Sequence, residues 1–155
     1  MSKNTEKKIT GMWWFLIVAI AVACMVFPTG IFYKSAGGNA ISFKGLECVF
    51  GGQYIDAAHA DSKFNIVAFL GFFLPFVASV LYIALARVKG SIFIPMVAFL
   101  ASFILLFCGK VAFCNVNGLI SLPNYSLGVG TLIGALLSIV GFVSTIVVGI
   151  KRLVS

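Results

Sequence analysis

The sequence predicts an all-α membrane protein, a left-handed bundle of four transmembrane helices, with a small extracytoplasmic β-sheet contributed by two outer loops. Two observations predict this class. Of the 155 residues, 61% are apolar and only 10% are charged, which is more apolar surface than a water-soluble domain of this length buries. The apolar residues also fall in four blocks of spanning length, with a long polar segment between the first two. We therefore expect a lipid bilayer to cover the outer surface of the helices.

The four spans follow from a search for about 17 to 25 residues without internal charge. This search finds 12–27, 64–86, 92–113 and 127–150. Lys110 lies near the end of the third block, where a long lysine side chain reaches the headgroups, so the core of that helix is expected to stop near Cys108. The whole chain, 1–155, is then one membrane domain with a structured outer loop 28–63 and a second outer loop 114–126.

The first span allows a second interpretation, a cleaved signal sequence, because a basic segment precedes it and Ala21–Cys24 resembles a lipoprotein cleavage site. However, Met25–Phe27 is apolar at the point where a mature lipoprotein turns polar. Trp13 and Trp14 favour retention, since paired indoles suit the cytoplasmic interface of a permanent span. We therefore expect the first span to remain in the protein.

The net charge of +7 is scattered between the apolar blocks and forms no clustered basic face, which argues against nucleic-acid binding. Basic residues beside apolar spans instead hold the adjoining segments on the cytoplasmic side. The segments identified in this way carry Lys3, Lys7, Lys8, Arg87, Lys89, Lys151 and Arg152. We therefore predict a multi-pass protein of the cell membrane with both termini in the cytoplasm.

The outer loops contain strand and turn signals. Ile31–Tyr33 and Ile41–Phe43 flank Gly37-Gly38-Asn39, a sequence that favours a hairpin because Gly and Asn accept positive φ. Leu46–Phe50 is a further strand candidate in the first loop. In the second loop Asn117-Gly118 predicts a turn, and one or two strands from Leu119–Leu122 would extend the sheet.

Four cysteines divide between spans and loops. Cys24 and Cys108 belong to spans, whereas Cys48 and Cys114 belong to the two outer loops. On an oxidising outer face, a Cys48–Cys114 disulfide would tie the small sheet together and stabilise it by about 2–4 kcal/mol. The alternative is two half-buried thiols, since the sequence does not determine the distance between them.

The outer acids and the single histidine are the only candidates for metal or acid–base chemistry. Asp56, His59 and Asp61 are close in sequence and could surround a cation, but a zinc site needs further His or Cys ligands, so a solvated stretch before the second span is the favoured explanation. Glu47 is the remaining outer acid. No nucleophile–base pair is evident, so we predict no catalytic residues, no metal site and no cofactor.

Inside the predicted spans ionisable residues are absent apart from Lys110, which argues against a proton or sodium relay within one copy. Asn65, at the outer edge of the second span, is expected to cap or anchor that helix. The fourth span carries a stripe of small residues at intervals of three or four, typical of a helix-packing face. Its members are Gly130, Gly134, Ser138, Gly141, Thr145 and Gly149. Packing within one monomer is favoured over a contact between copies.

Short cytoplasmic ends and a long first outer loop with strand signals resemble the four-span layout of claudins and related tetraspan proteins. The local similarity lies at Gly45, Leu46 and Cys48. Claudins carry Gly-Leu-Trp and two bonded cysteines in this loop, whereas here Glu47 follows Leu46 and the second cysteine would be Cys114. The resemblance implies lateral association in the membrane and recognition through the outer sheet.

The sequence thus predicts a non-enzymatic structural or accessory subunit that associates with itself or with a membrane-protein partner through its outer β-layer and helix faces. The alternative is a pore-forming or transport component, a small channel subunit or a holin-like protein, assembled from several copies. A membrane enzyme that uses the outer acids is the third and least supported hypothesis.

Overall fold

A computed structural model of the chain describes residues 3–34, 40–52, 61–85, 88, 90–119 and 125–154. Within these ranges the backbone alone is described at 3–10, 29–34, 40–41 and 152–154. The helices are α1 Lys3–Cys24, α2 Gly45–Phe50, α3 Ile66–Ala84, α4 Phe93–Val116 and α5 Val129–Val154. The strands are β1 Thr29–Lys34, β2 Ala40–Lys44 and β3 Tyr125–Leu127.

Three helices are long and apolar enough to cross a membrane, at Ile66–Ala84, Phe93–Val116 and Val129–Lys151. Helix α1 adds a shorter apolar stretch, Gly11–Cys24. Only 28–39% of each long span is buried within the protein, so most of its apolar surface is left for a bilayer to cover. The prediction of a helical, multi-pass membrane protein is confirmed, with three to four spans.

The four long helices form a ring in which each contacts two neighbours. Helix α1 packs against α3 and α5, and α4 packs against the same two from the opposite side. Two apolar clusters fill the interior. The half nearer the termini contains Phe15, Val18, Ala19, Val22, Tyr82 and Phe99, and the other half contains Val26, Val49, Ala68, Phe72, Leu106 and Ala135. The left-handed sense of the bundle stays a prediction.

At one end of the bundle the three strands pair in the order β2-β1-β3. Strands β1 and β2 are antiparallel, with Lys34 opposite Ala40 and an irregularity between Thr29 and Ile31. The predicted turn at Gly37-Gly38-Asn39 lies outside the described residues. Strand β3 pairs antiparallel with the other edge of β1. We call β1, β2, β3, α2 and the segment 61–65 the cap.

The prediction of a strand at Leu46–Phe50 was wrong, because these residues belong to helix α2. Gly45, Cys48 and Val49 are buried at helical spacing. The Glu47 carboxylate also accepts the Lys44 backbone N–H at 3.3 Å, which stabilises the first turn. Gly45 is required sterically, since a Cβ there would lie 1.9 Å from the Val26 carbonyl oxygen.

The expectation that the core of the third helix stops near Cys108 was also wrong, because α4 continues without a break to Val116, just past the predicted span 92–113. Its last turns bury Phe113 and Cys114 against the cap, and this packing favours helix over loop. Cys114 therefore belongs to α4 and not to a loop. The predicted turn at Asn117-Gly118 follows directly: Gly118 adopts φ +70° and the Leu119 N–H donates to the Cys114 carbonyl at 2.8 Å.

Candidate functional site

The junction between the cap and the helices holds the densest set of buried polar contacts in the described part of the chain. Asn65 is fully buried. Its side-chain oxygen accepts the N–H groups of Val67 and Ala68 at 3.1 and 3.2 Å, and its Nδ2 donates to the Gly109 carbonyl at 3.1 Å. One amide thus caps α3 and ties α3 to α4, which confirms the predicted cap and adds a link between helices.

Lys110 makes the second contact of this junction. Its Nζ donates to the Tyr125 carbonyl oxygen of β3 at 3.0 Å, and its side chain is half-buried. That Lys110 also reaches the headgroups stays a prediction. The strand β3 supplies a carbonyl within reach, and a charge-assisted hydrogen bond to it replaces hydration of the ammonium.

Asn117 makes the third contact. Its Oδ1 accepts the Lys63 backbone N–H at 2.8 Å, while its Nδ2 donates to the Phe113 carbonyl at 2.8 Å. The sequence indicated Asn117 only as a turn residue, because a contact between residues 63 and 117 leaves no local pattern. Together Asn65, Lys110 and Asn117 fasten the cap to α3 and α4, and we call them the clamp.

Where the cap meets the end of α4, Cys48 and Cys114 share one buried cluster with Phe43, Phe113 and Tyr125. Both cysteines are thiols in the structure, so the predicted disulfide is not formed and the alternative of two thiols holds. The Cys48 Sγ lies 3.9 Å from the Phe43 carbonyl oxygen, where it makes a weak hydrogen bond. The aromatic rings of Phe43 and Phe113, with centroids 5.3 Å apart, pack beside the thiols.

A cavity of about 10 Å³ lies between the clamp and the spans, lined in part by Lys110, Gly109, Cys48 and Thr131. This volume admits about one water molecule. Pockets that bind small organic ligands are larger by more than an order of magnitude. The cavity therefore does not serve as a substrate pocket in this conformation.

Of the four predicted acidic and histidine candidates, Glu47 and Asp61 lie within the described residues. Asp56 and His59 lie outside the described residues, and Asp61 is exposed. Glu47 uses its carboxylate to cap α2. Among the described residues, no three His, Cys, Asp or Glu side chains come together as metal ligands would.

The small-residue stripe of α5 faces the other helices over most of its length. Gly130, Gly134, Ser138, Gly141 and Thr145 are buried. A Cβ at Gly141 would lie 2.5 Å from the Phe99 ring, and one at Gly134 would lie 3.3 Å from Leu106. At Gly149 there is open space, so the close approach ends before that residue.

Serine hydroxyls connect three of the spans, a feature that the apolar blocks did not indicate. The Ser102 Oγ lies 2.5 Å from the Gly71 carbonyl oxygen and 2.9 Å from the Ser138 Oγ, and either hydroxyl can donate to the other. The Gly134 carbonyl oxygen, 2.8 Å from the Ser138 Oγ, is a second acceptor for the Ser138 proton. These hydroxyls are buried and bonded within the monomer, so they lock α3, α4 and α5 together.

The outward faces of the spans carry large apolar side chains, for example Val77, Val97 and Leu136 at 52%, 60% and 63% exposure. On the described spans between Gly11 and Cys108, the exposed side chains that carry a weakly polar group are Trp13, Trp14, Cys24 and Cys108. A polar stripe, which would line a water-filled conduit, is absent from these described faces.

Four phenylalanines form a continuous row of aromatic rings from the cap along α3, partly buried at Phe69 and Phe73, which we call the phenylalanine ladder. Ring centroids are 6.3 Å apart for Phe50 and Phe64, 5.8 Å for Phe64 and Phe69, and 5.0 Å for Phe69 and Phe73. Phe50 and Phe64 are about half exposed. The ladder gives the cap an apolar side surface that continues into the membrane-facing surface of α3.

The apolar helices, closed interior and fastened cap define the class, a multi-pass α-helical membrane protein. Comparisons with protein-family models, with curated proteins and with solved structures found no match. The similarity to claudins at Gly45, Leu46 and Cys48 stays a prediction from the sequence.

Proposed function

We propose that this chain is a non-enzymatic membrane protein that acts as an interaction or accessory subunit, and that the cap is its recognition surface. The partner is a second copy or another protein of the same membrane. The fastening of the cap by the clamp carries this proposal. Because three side chains join the cap to α3 and α4, the cap and the spans are expected to move as one body.

The shape of the cap supports a role in recognition. Strand β2 is at an edge of the sheet, and an edge strand offers backbone groups to which an added strand can bind. Leu46, Phe50 and Phe64 add an apolar surface beside it, each at least 39% exposed. Edge pairing and apolar burial together suit a protein partner that approaches from the side, within or just above the bilayer.

The alternative of a pore between copies has less support. Water and ions cross a membrane along polar groups, yet Ser79, Ser102 and Ser138 are buried and bond within the monomer. The described exposed faces of the spans are apolar. A conduit built from these faces would be dewetted.

We further propose that the cap lies on the extracytoplasmic side of the cell membrane and that both termini lie in the cytoplasm. The basic residues at both ends of the chain support this orientation through the positive-inside tendency. Labelling with a membrane-impermeant maleimide tests it. Lys44→Cys should react in intact cells, and Lys151→Cys only after permeabilisation; the opposite pattern would reverse the orientation.

Site-specific photo-crosslinking in native membranes tests the recognition role. A benzophenone amino acid replaces Lys44 or Ser126, which are exposed on the cap, or Val143, which is 51% exposed on α5. The cap positions should give adducts of defined protein mass, and Val143 should give mainly lipid adducts. A strictly monomeric particle by mass photometry, with no co-purifying protein and no cap adduct, would contradict the proposal.

A further inference from the structure

The two ends of the chain meet at the end of the bundle opposite the cap. Helices α1 and α5 are antiparallel neighbours, and the Trp14 Nε1 donates to the Ser144 hydroxyl at 3.1 Å. One turn nearer the terminus, a Cβ on Gly11 would lie 3.9 Å from both methyl groups of Val148. Continuing this register by another turn places Lys7 and Lys8 level with Lys151 and Arg152.

This register brings basic residues of both termini to the same end of the bundle. The two helix ends carry Lys3, Lys7, Lys8, Lys151 and Arg152, together with Glu6, and we call this set of positions the basic cluster. The sequence, taken linearly, indicated no clustered basic face, because its two halves are more than a hundred residues apart. Four to eight basic residues directly beside a membrane span are typical of a site for anionic lipid headgroups.

The depth of the cluster fits the headgroup region. The apolar part of α1, Gly11–Cys24, is about 21 Å long, less than the roughly 30 Å of a bilayer core, so the residues just before Gly11 are drawn toward the interface. Trp13 supports this level. Its indole is 57% exposed, and its N–H has no hydrogen-bond partner among the described residues, as suits an indole at the headgroups.

We propose that the paired ends of α1 and α5 bind the phosphate groups of anionic phospholipids. Ammonium and guanidinium groups supply charge-assisted donors to phosphate oxygens, and Trp13 lies beside the upper acyl chain. This site is independent of the cap and of any protein partner. At the terminal end, the protein should therefore bind anionic phospholipids more tightly than zwitterionic phosphatidylcholine.

Native mass spectrometry of the full chain released from nanodiscs tests the proposal. Nanodiscs contain phosphatidylcholine with a minor fraction of phosphatidylglycerol, and retained lipids are counted. The unchanged chain should retain phosphatidylglycerol in preference. Lys7→Gln with Lys8→Gln, or Lys151→Gln with Arg152→Gln, should each lower this retention about fivefold, and the four changes together should abolish the preference.

Lys44→Gln with Lys63→Gln is the matched control, because it removes the same charge from exposed positions on the cap. The proposal is overturned if this control lowers retention equally, or if the terminal variants retain phosphatidylglycerol unchanged. A second measurement needs no variant: raising the salt from about 50 mM to about 500 mM should release phosphatidylglycerol and spare phosphatidylcholine. Displacement of the lipid by millimolar inorganic phosphate would instead assign the cluster to a free anion.

Discussion

The two ends of the bundle are held by different physical means. At the cap end, Asn65, Lys110 and Asn117 make directional hydrogen bonds to backbone groups of other elements. At the terminal end, α1, α4 and α5 are held mainly by close apolar fit, with Phe99 packed on Gly141. The irregular backbone of the cap needs hydrogen bonds from side chains to satisfy its polar groups. Regular helices bond their own backbone and need only small-residue surfaces that let two helices pack closely.

Disruption of the close contact between Gly141 and Phe99 should cause the largest loss of unfolding free energy. Gly141→Val places a side chain where the Phe99 ring lies, and Phe99 is fully buried, so overpacking should lower the unfolding free energy by about 3 kcal/mol. Thermal unfolding in mild detergent measures it. Gly149→Val is the control, since that position faces open space; equal destabilisation by both variants would show that the stripe acts through helix propensity alone.

The clamp residue Asn65 should have the next largest effect. Asn65→Ala removes the cap of α3 and the donor to the Gly109 carbonyl, at a cost of about 2 kcal/mol in unfolding free energy. Asn115→Ala, on the exposed face at the end of α4, should change it little. If the two variants unfold at the same temperature, the amide of Asn65 is not a structural link.

Lys110→Met separates loosening of the cap from global unfolding. The methionine keeps the apolar stem but loses the donor to the Tyr125 carbonyl, which should cost about 1 kcal/mol. Hydrogen exchange should quicken at Tyr125–Leu127 and stay unchanged along α1. Lys63→Met, which keeps the Lys63 backbone bond to Asn117, serves as the control; unchanged exchange at β3 in Lys110→Met would contradict the clamp.

Trp14→Phe tests an exposed polar contact between α1 and α5 at the terminal end and should have the smallest effect. It deletes the indole donor to Ser144, an exposed bond worth about 0.5 kcal/mol. Hydrogen exchange should rise slightly at the start of α1 and not at the cap. A loss as large as that of Asn65→Ala would mean that both ends depend on polar bonds, and the contrast between them would fail.

The sequence predicted the spans well but misjudged the elements next to them. The blocks 64–86 and 92–113 correspond to α3 and α4, and their ends agree with the helix ends to within a few residues. Leu46–Phe50 has strand composition yet folds as α2, because Gly45, Cys48 and Val49 find burial against other elements. The extension of α4 past Lys110 has the same cause. The Tyr125 carbonyl of β3 accepts a hydrogen bond from the Lys110 ammonium, which would otherwise need water as its partner.

By itself, the sequence determined that this chain needs lipid as a solvent, because the length and spacing of apolar blocks set that requirement locally. It also located the small-residue face of α5, since helical periodicity is a property of one segment. Only the tertiary structure decided the clamp, the thiol cluster and the placement of the two chain ends beside each other. Each joins residues distant in the chain, and such contacts depend on which helices become neighbours.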